Sequence, residues 1–352
     1  MILLAAAVLL AGVYVFHVGG EMTDFGVCYQ GGQRIVRGET LYREADGHLQ
    51  YKYSPASALF FAPLTLLPYG AAKIIWYMLE FGFLAGIFFF FYRILPVEGK
   101  RAGPVLGWTF LIELKFVARE IELGQVNLFI LFLLTAMLYL LAGKKETVAG
   151  FLWGASLLFK PYALVFLPYL LLKRKLQTLI AGLVSVLVGL ALPAIFYGPR
   201  GYLAVLREWP MTLSKSTTGL LASYDNASLY GFLLKTFPTL PTRDAFAFLL
   251  VIFLALALSA LWLIVKGRAP VAPPNSEVLE VAFLLILIPL FSPLGWNYNY
   301  LYSIPAVMII VAAWRRLAPA LKIVLIVDFV LISTSVVELW GRGAFHLYTQ
   351  HA

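Results

Sequence analysis

The sequence predicts an all-α polytopic membrane protein. Of its 352 residues, 61% are hydrophobic and 13% are charged, whereas soluble globular domains have about 45–50% and about 25%. Long apolar stretches recur along the chain, and residues 251–265 and 278–291 are apolar on every face. Composition therefore excludes a soluble fold, and the apolar stretches predict helices that span a membrane.

The apolar stretches predict about nine crossings, each near or below the ~20 residues that a spanning helix needs. Residues 2–16 also resemble the apolar region of a signal peptide, but no basic region precedes them, so an uncleaved first helix is preferred. The predicted spans are residues 2–18, 71–94, 103–118, 126–142, 176–197, 246–265, 278–291, 301–314 and 319–337.

Short basic clusters separate these spans and give the chain a net charge of +9. In a soluble protein such a charge would suggest nucleic acid, but between apolar stretches it marks the cytoplasmic side. All the clusters can be cytoplasmic only if residues 148–172 enter the membrane and return. We expect this re-entrant hairpin to turn at Lys160, because proline disfavours helix in the residue before it. The alternative is one tilted helix kinked at Pro161.

This topology places two polar loops, residues 19–54 and 198–244, on the outer face of a single domain that covers residues 1–352. Large loops rich in Asp, Asn, Tyr and Arg indicate a function on that face. The one cysteine, Cys28, excludes an intramolecular disulfide, and no Cys/His spacing is typical of a structural metal site. We predict that no metal and no cofactor is needed.

Two charged residues stand out as candidates for chemistry. Asp24 follows the first span, where a carboxylate that loses bulk water could act as a general base. Its alternative role is the N-cap of the next helix. Lys160 lies within an apolar stretch, where an ammonium costs about 2.5–3.5 kcal/mol and should face protein, water or an anion. It could contact a phosphate or pair with another side chain.

Residues 124–127 open the fourth span and could present amides to an anion or a hydroxyl. Gln125 and Asn127 are the candidates, with Arg119 just before them; an ordinary polar helix entrance is the alternative. Tyr51 and Tyr53 precede a short apolar run, where they could anchor an interface or stack on a sugar.

The second outer loop and a later turn add further polar candidates. Asn226 lies in the loop, and residues 292–300 form a short turn rich in hydrogen-bonding groups. Amide side chains and an indole ring suit the hydroxyls and the apolar face of a sugar. The candidates in the turn are Trp296, Asn297 and Asn299.

A series of motifs follows in order along residues 20–310: Asp24 after the first span, Gly38-Glu-Thr-Leu-Tyr42, Tyr51-Lys-Tyr53-Ser-Pro55, Gly124-Gln-Val-Asn127, Ala149-Gly with Phe159-Lys-Pro161, Asn226-Ala-Ser228 and Ser292-Pro-Leu-Gly-Trp296. Together they resemble glycosyltransferase family 87, the polyprenyl-phosphate-mannose dependent α-mannosyltransferases of the GT-C superfamily. This chain has Asn297 and Asn299 where family members often carry His or Asp.

The resemblance implies a GT-C-type fold and a metal-independent, inverting hexosyltransferase of the cell membrane. Its partners would be a polyprenyl-phosphate sugar donor, a lipid or glycan acceptor on the outer face, and membrane lipids, with no nucleic acid. Asp24 would be the base that acts on the acceptor, and Lys160, Gln125, Asn127 and Arg119 would lie near the donor. A glycine loop for a nucleotide is not present in the sequence, which favours lipid phosphate as the leaving group.

Two other functions also agree with the pattern of helices. A secondary transporter or lipid flippase would explain the spans and Lys160, although it predicts paired broken helices. A non-catalytic scaffold would explain the spans alone and would not depend on Asp24.

Overall fold

The computed structural model describes residues 12–95, 97, 99–223, 225–266 and 276–335. Helices make up the regular structure of these residues, and their only β pairing is an isolated antiparallel bridge between Asn226 and Trp296. The predicted all-α class is therefore confirmed.

The α-helices are labelled α1 to α14 in chain order. They are Thr23–Val36, Pro55–Phe61, Tyr69–Ile94, Ala102–Leu123, Asn127–Ala142, Glu146–Phe159, Phe166–Leu172, Leu176–Ala191, Ala194–Thr218, Leu229–Thr236, Thr242–Lys266, Ser276–Phe291, Ile304–Ala313 and Pro319–Thr334. Short 3₁₀ helices connect several of them, at Glu44–Leu49, Ala62–Leu66, Pro161–Val165, Asn297–Ser303 and Trp314–Arg316.

The chain divides into two compact units. Unit 1 consists of Met1–Ile87 and Ala118–Lys215, and unit 2 consists of Phe88–Val117 and Ser216–Ala352. Asp24, Gln125 and Lys160 therefore belong to unit 1.

Small residues bring helices α6 and α8 of unit 1 close together. A Cβ atom added at Gly150 would collide with the backbone carbonyl of Thr178, and one added at Gly154 would collide with that of Gly182. Gly182 in turn lies against the indole ring of Trp153. Glycines four residues apart are typical of helix pairs that associate in membranes, where close van der Waals packing drives association.

The first predicted outer loop is an ordered part of unit 1. Within residues 19–54, Ile35 of α1 packs with Tyr42 in one core, while the 3₁₀ helix Glu44–Leu49 has no buried residue. Tyr202 of α9 packs into the same core, so the two predicted outer segments meet. The Tyr197 hydroxyl also donates to the carbonyl of Glu39 at 2.8 Å. Most of residues 19–54 and 194–218 are therefore helical, because their apolar side chains have a core to enter.

The nine predicted crossings are not confirmed. Among the described residues, only α3 is long and apolar enough to span a membrane alone, and α8 with α9, which are bent by 90°, form a second candidate if taken together. Helix α5 has 16 residues and reaches about 24 Å, less than the roughly 30 Å of hydrocarbon. Helix α4 is long enough but carries several charges, including Glu113, Lys115 and Glu120. Most of the predicted span 2–18 lies outside the described residues.

The apolar stretch 148–172 breaks at the predicted residue. Helix α6 ends at Phe159, Lys160 is extended with φ −140° and ψ 139°, and a 3₁₀ helix begins at Pro161. The residue before the proline is thus outside the helix, as the sequence predicts. The passage of this pair of short helices into and out of a membrane stays a prediction.

Candidate active site

Asp24 lies in the first turn of α1. The N-cap of this helix is Met22, so Asp24 does not take the capping role that was its alternative. Its carboxylate is half-buried and accepts a hydrogen bond from Nε2 of Gln125 at 2.7 Å. Glu21 precedes the helix and is exposed, so it does not share the environment of Asp24.

A glycine turn brings Gln125 to Asp24. The backbone N–H of Met22 donates to the carbonyl of Glu122 at 2.8 Å, which joins the start of α1 to the end of α4. Gly124 follows with φ +65°, and a Cβ there would lie 2.7 Å from the Cβ of Phe25. Only glycine adopts this positive φ without strain and also leaves space for the side chain of Phe25. Gly124 therefore sets the distance between Gln125 and α1.

The side-chain amide of Gln125 links the carboxylate to the ammonium of Lys160. Its Nε2 faces Asp24, and its Oε1 accepts from Nζ of Lys160 at 3.4 Å and from the hydroxyl of Tyr53 at 3.2 Å. Nζ of Lys160 also donates to Oδ1 of Asn127 at 2.8 Å. The predicted residues Asp24, Gln125, Asn127, Lys160 and Tyr53 therefore form one cluster.

Aromatic rings surround the ammonium of Lys160. Nζ lies 5.6 Å from the ring centre of Tyr53 and 5.5 Å from that of Tyr162. Cations are attracted to ring faces within about 6 Å. Because Lys160 is extended between α6 and a 3₁₀ helix, its side chain leaves the chain at a break and not from a helix surface.

Glu120 holds Asn127 of this cluster in place through hydrogen bonds. It is not among the residues that the sequence predicts for the site. It is fully buried and accepts from Nδ2 of Asn127 at 2.9 Å and from the backbone N–H of Leu128 at 3.0 Å. The backbone N–H of Asn127 also donates to it, at 2.5 Å. The carboxylate caps α5 and turns Oδ1 of Asn127 toward Lys160. An acidic residue just before a predicted helix start was the available signal.

Burial and nearby cations act on Asp24 in opposite directions. Burial raises the pKa of Asp24, and it outweighs the hydrogen bond from Gln125 and the charges of Lys160, Lys52 and Arg119, which lower it. Burial lowers the pKa of Lys52, although the negative charge of Asp24 acts to raise it. A carboxylate with a raised pKa is a stronger base once it is ionised.

Arg119 and Tyr51 lie outside the hydrogen-bonded cluster. Arg119 is exposed and pairs with Glu122 at 2.7 Å, so it acts on Asp24 through its charge. Tyr51 is 1% exposed, and its hydroxyl lies 2.6 Å from Oγ of Ser57. Its ring is enclosed by the core of unit 1, so of the two predicted tyrosines only the half-buried Tyr53 is accessible to a ligand.

The other predicted sugar residues belong to unit 2. Asn226 is fully buried; its Nδ2 donates to the carbonyl of Pro293 at 2.9 Å, and its Oδ1 accepts from the backbone N–H of Gly295 at 2.9 Å. These bonds hold two loops together. Asn299 is also buried, whereas Trp296 and Asn297 are half-buried at the surface of the turn. Trp296 and Asn297 are therefore the members of this group that a ligand could reach.

No group of three or more His, Cys, Asp or Glu side chains in the described part of the chain is placed to hold a metal ion. The cluster around Asp24 combines a carboxylate, an ammonium and two amides. Such a set can accept a proton and stabilise an anion without a metal.

The sequence profile of glycosyltransferase family 87 matches residues 51–293. The chain belongs to this family. The range matched to family 87 includes Gln125, Asn127 and Lys160. Asp24 precedes this range, and Trp296 follows it. No solved structure matches the chain.

Three curated relatives resemble this family 87 chain at low identity. An alpha-(1->3)-arabinofuranosyltransferase of Corynebacterium glutamicum is 26% identical over 62% of this chain and 51% of its own length. A polyprenol-phosphate-mannose-dependent alpha-(1-2)-phosphatidylinositol pentamannoside mannosyltransferase of Mycobacterium tuberculosis is 23% identical over 92% of this chain and 74% of its own. An enzyme of the same name from Mycolicibacterium smegmatis is 29% identical over 42% of this chain and 37% of its own. The alignments thus span about half, three quarters and a third of the three relatives.

Proposed function

We propose that this chain transfers a hexose, with mannose as the first choice, from a polyprenyl-phosphate donor to a hydroxyl of a lipid or glycan acceptor. The reaction takes place at the outer face of the cell membrane, in a multi-pass protein, and inverts the anomeric carbon. One observation carries the proposal: Gln125 connects the carboxylate of Asp24 to the ammonium of Lys160. Two of the relatives are named as dependent on polyprenol-phosphate-mannose, which supports the choice of donor.

Asp24 is the proposed base. The acceptor hydroxyl gives its proton to the carboxylate as its oxygen forms a bond to the anomeric carbon of the sugar. The bond from that carbon to the donor phosphate oxygen breaks, and the lipid phosphate leaves with the electron pair. Lipid phosphate is already a good leaving group, so one carboxylate is sufficient. A single displacement of this kind inverts the configuration.

Lys160 is the proposed partner of the departing phosphate. An ammonium has three N–H donors, and two of them are directed at Asn127 and Gln125. The third can reach a phosphate oxygen, and stabilisation of developing negative charge is usually the largest single contribution to such a reaction. Asn127 and Gln125 hold the ammonium near Asp24.

Three further acids of the first outer segment are paired with basic side chains. Asp46 pairs with Arg34, Glu39 pairs with Arg43 at 2.7 Å, and Glu44 pairs with Lys215 at 2.7 Å. Each pair neutralises a carboxylate that could compete as base. The remaining acid, Glu21, is exposed, whereas Asp24 is half-buried and held by the amide of Gln125. Asp24 is therefore the best-suited proton acceptor of this segment.

The experiment is a transfer assay with the full chain in proteoliposomes. Three labelled donors are compared: polyprenyl-phosphate mannose, polyprenyl-phosphate arabinose and a nucleotide-linked mannose. We expect transfer from the mannose lipid to a glycolipid acceptor, with the product linkage opposite in configuration to the donor linkage. Transfer from the nucleotide sugar, or movement of the lipid-linked sugar across the bilayer without a covalent product, would contradict the proposal.

A further inference from the structure

Unit 2 contains a groove that the proposed reaction does not use. It has a volume of about 760 Å³ and is formed by helices α4, α13 and α14. Apolar side chains make up most of its wall, among them Ile112, Val311 and Phe329. Its volume lies within the roughly 300–1,000 Å³ of ordinary ligand cavities.

Cationic side chains lie at one end of the groove. Lys100 and Arg101 immediately precede α4, and Arg315 follows α13. Nζ of Lys100 donates to the backbone carbonyls of Tyr92 and Leu95 at 2.8 Å each, which fixes its charge in place. Arg101 and Arg315 are exposed. This end therefore presents guanidinium groups suited to an anion.

Two hydroxyl side chains lie at the opposite end of the groove, and both are hydrogen-bonded to backbone carbonyls. Oγ of Ser333 donates to the carbonyl of Ile112 at 3.3 Å, and Oγ1 of Thr334 donates to the carbonyl of Val330 at 2.7 Å. From Arg101 to Ile112 the chain rises about 16 Å at the helical rise of 1.5 Å per residue. This length equals about half of the 30 Å hydrocarbon core, which is one leaflet.

We propose that the groove binds an anionic phospholipid, with its phosphate at Arg101 and Arg315 and an acyl chain along the apolar wall. Basic pockets between membrane helices are known to suit anionic headgroups. Two tryptophans also line the groove, and one of them, Trp108, is 60% exposed. Indole rings favour the level of the headgroups. The inference depends on the membrane placement in the proposed function but not on sugar transfer.

The test measures lipid retained by the purified full chain. The protein is extracted from membranes that contain phosphatidylglycerol and phosphatidylcholine, and bound lipid is counted by native mass spectrometry. We expect phosphatidylglycerol to be retained in preference to phosphatidylcholine. Arg315→Gln should reduce this retention about five- to tenfold, since one basic residue near a headgroup contributes about 1 kcal/mol or somewhat more.

Two further variants separate a site from general attraction. Arg316→Gln removes the same charge from the neighbouring residue, which does not line the groove, and should leave retention unchanged. Ala312→Trp fills the groove while keeping every charge, and should abolish retention. The proposal is overturned if Arg315→Gln and Arg316→Gln behave alike, if Ala312→Trp retains the lipid, or if polyprenyl phosphate replaces phosphatidylglycerol. The experiment measures bound lipid and not sugar transfer. Failure of the lipid proposal can therefore be distinguished from failure of the proposed transferase function.

Discussion

At the scale of single residues, the balance of forces on Asp24 predicts a shifted pH dependence. Burial raises its pKa above the ordinary 3.8, and the cations around it limit the rise. The base must be ionised, so turnover falls as the pH drops through this raised pKa. We expect the acid limb of the rate profile to lie above pH 3.8 and to move higher still in Lys160→Met. A limb at or below the ordinary value would contradict this assignment.

Lys160→Met tests the proposed phosphate contact. Methionine keeps the length and apolar stem of the side chain and removes the charge. Loss of one charged hydrogen bond typically costs about 1.5–3 kcal/mol, so affinity for the polyprenyl-phosphate donor should fall roughly ten- to a hundredfold. Lys173→Met, at a half-buried lysine outside the cluster, is the control. Unchanged donor affinity in folded Lys160→Met would leave Lys160 with a purely structural role.

The residues of the cluster could be predicted because they occur in ordered motifs, but their contacts could not. The sequence indicated Asp24, Gln125, Asn127 and Lys160, which are separated by up to 136 positions along the chain. Glu120 was missed because its role depends on the turn at Gly124, which brings the end of one helix back to the start of the next. Tertiary hydrogen bonds of this kind leave no periodic signal.

At the scale of elements, the turn at Gly124 should determine the geometry of the cluster. Gly124→Ala adds a Cβ at φ +65°, 2.7 Å from the Cβ of Phe25, so α1 and Gln125 must separate. Turnover should fall by an amount on the order of 10²-fold, which is typical when a reacting group moves by about 1 Å.

Gly47→Ala is the matched control for this turn. Gly47 also has a positive φ, +59°, but nothing lies within 4 Å of an added Cβ. Both variants place an alanine at a positive φ, which strains the backbone, while only Gly124→Ala disturbs the cluster. An equal loss of turnover in the two variants would contradict this role of Gly124.

The elements also show where apolar stretches mislead. The predicted span 301–314 begins with a 3₁₀ helix, and its α-helix is only Ile304–Ala313. Hydrophobic content predicts burial but does not record where a helix ends or bends. The opposite error occurred in residues 19–54, where polar composition indicated a loop although α1 buries Phe25 and Ile35.

At the scale of the whole molecule, the proposed topology can be tested directly. Single cysteines at Lys144 and Lys173 are introduced on a Cys28→Ser background, since the native cysteine is buried. Basic flanks on both sides of residues 148–172 predict that both positions face the cytoplasm. A membrane-impermeant reagent should therefore modify neither position in intact cells and both after permeabilisation. Modification of position 173 alone from outside would disprove the re-entrant hairpin.

The stability of Asp24→Asn is the fold control for the central test. Because the pKa of Asp24 is raised on folding, the folded protein binds more protons than the unfolded chain between pH 3.8 and the raised value. Stability therefore falls as the pH rises through that window, and an ionised Asp24 opposes folding at neutral pH. Asparagine removes the free-energy cost of burying a charged carboxylate, so the melting temperature of Asp24→Asn should be unchanged or higher.

The most direct test of the account compares sugar transfer by Asp24→Asn and Glu21→Gln. Both variants remove one carboxylate from the same short segment. Only Asp24 accepts a hydrogen bond from Gln125, and the charge of Lys160 lowers its pKa. With labelled polyprenyl-phosphate mannose, turnover by Asp24→Asn should fall about 10²–10⁴-fold with donor binding nearly intact. Glu21→Gln should behave as wild type. Near-normal transfer by Asp24→Asn, or a collapse only in Glu21→Gln, would contradict the assignment of Asp24 as the base.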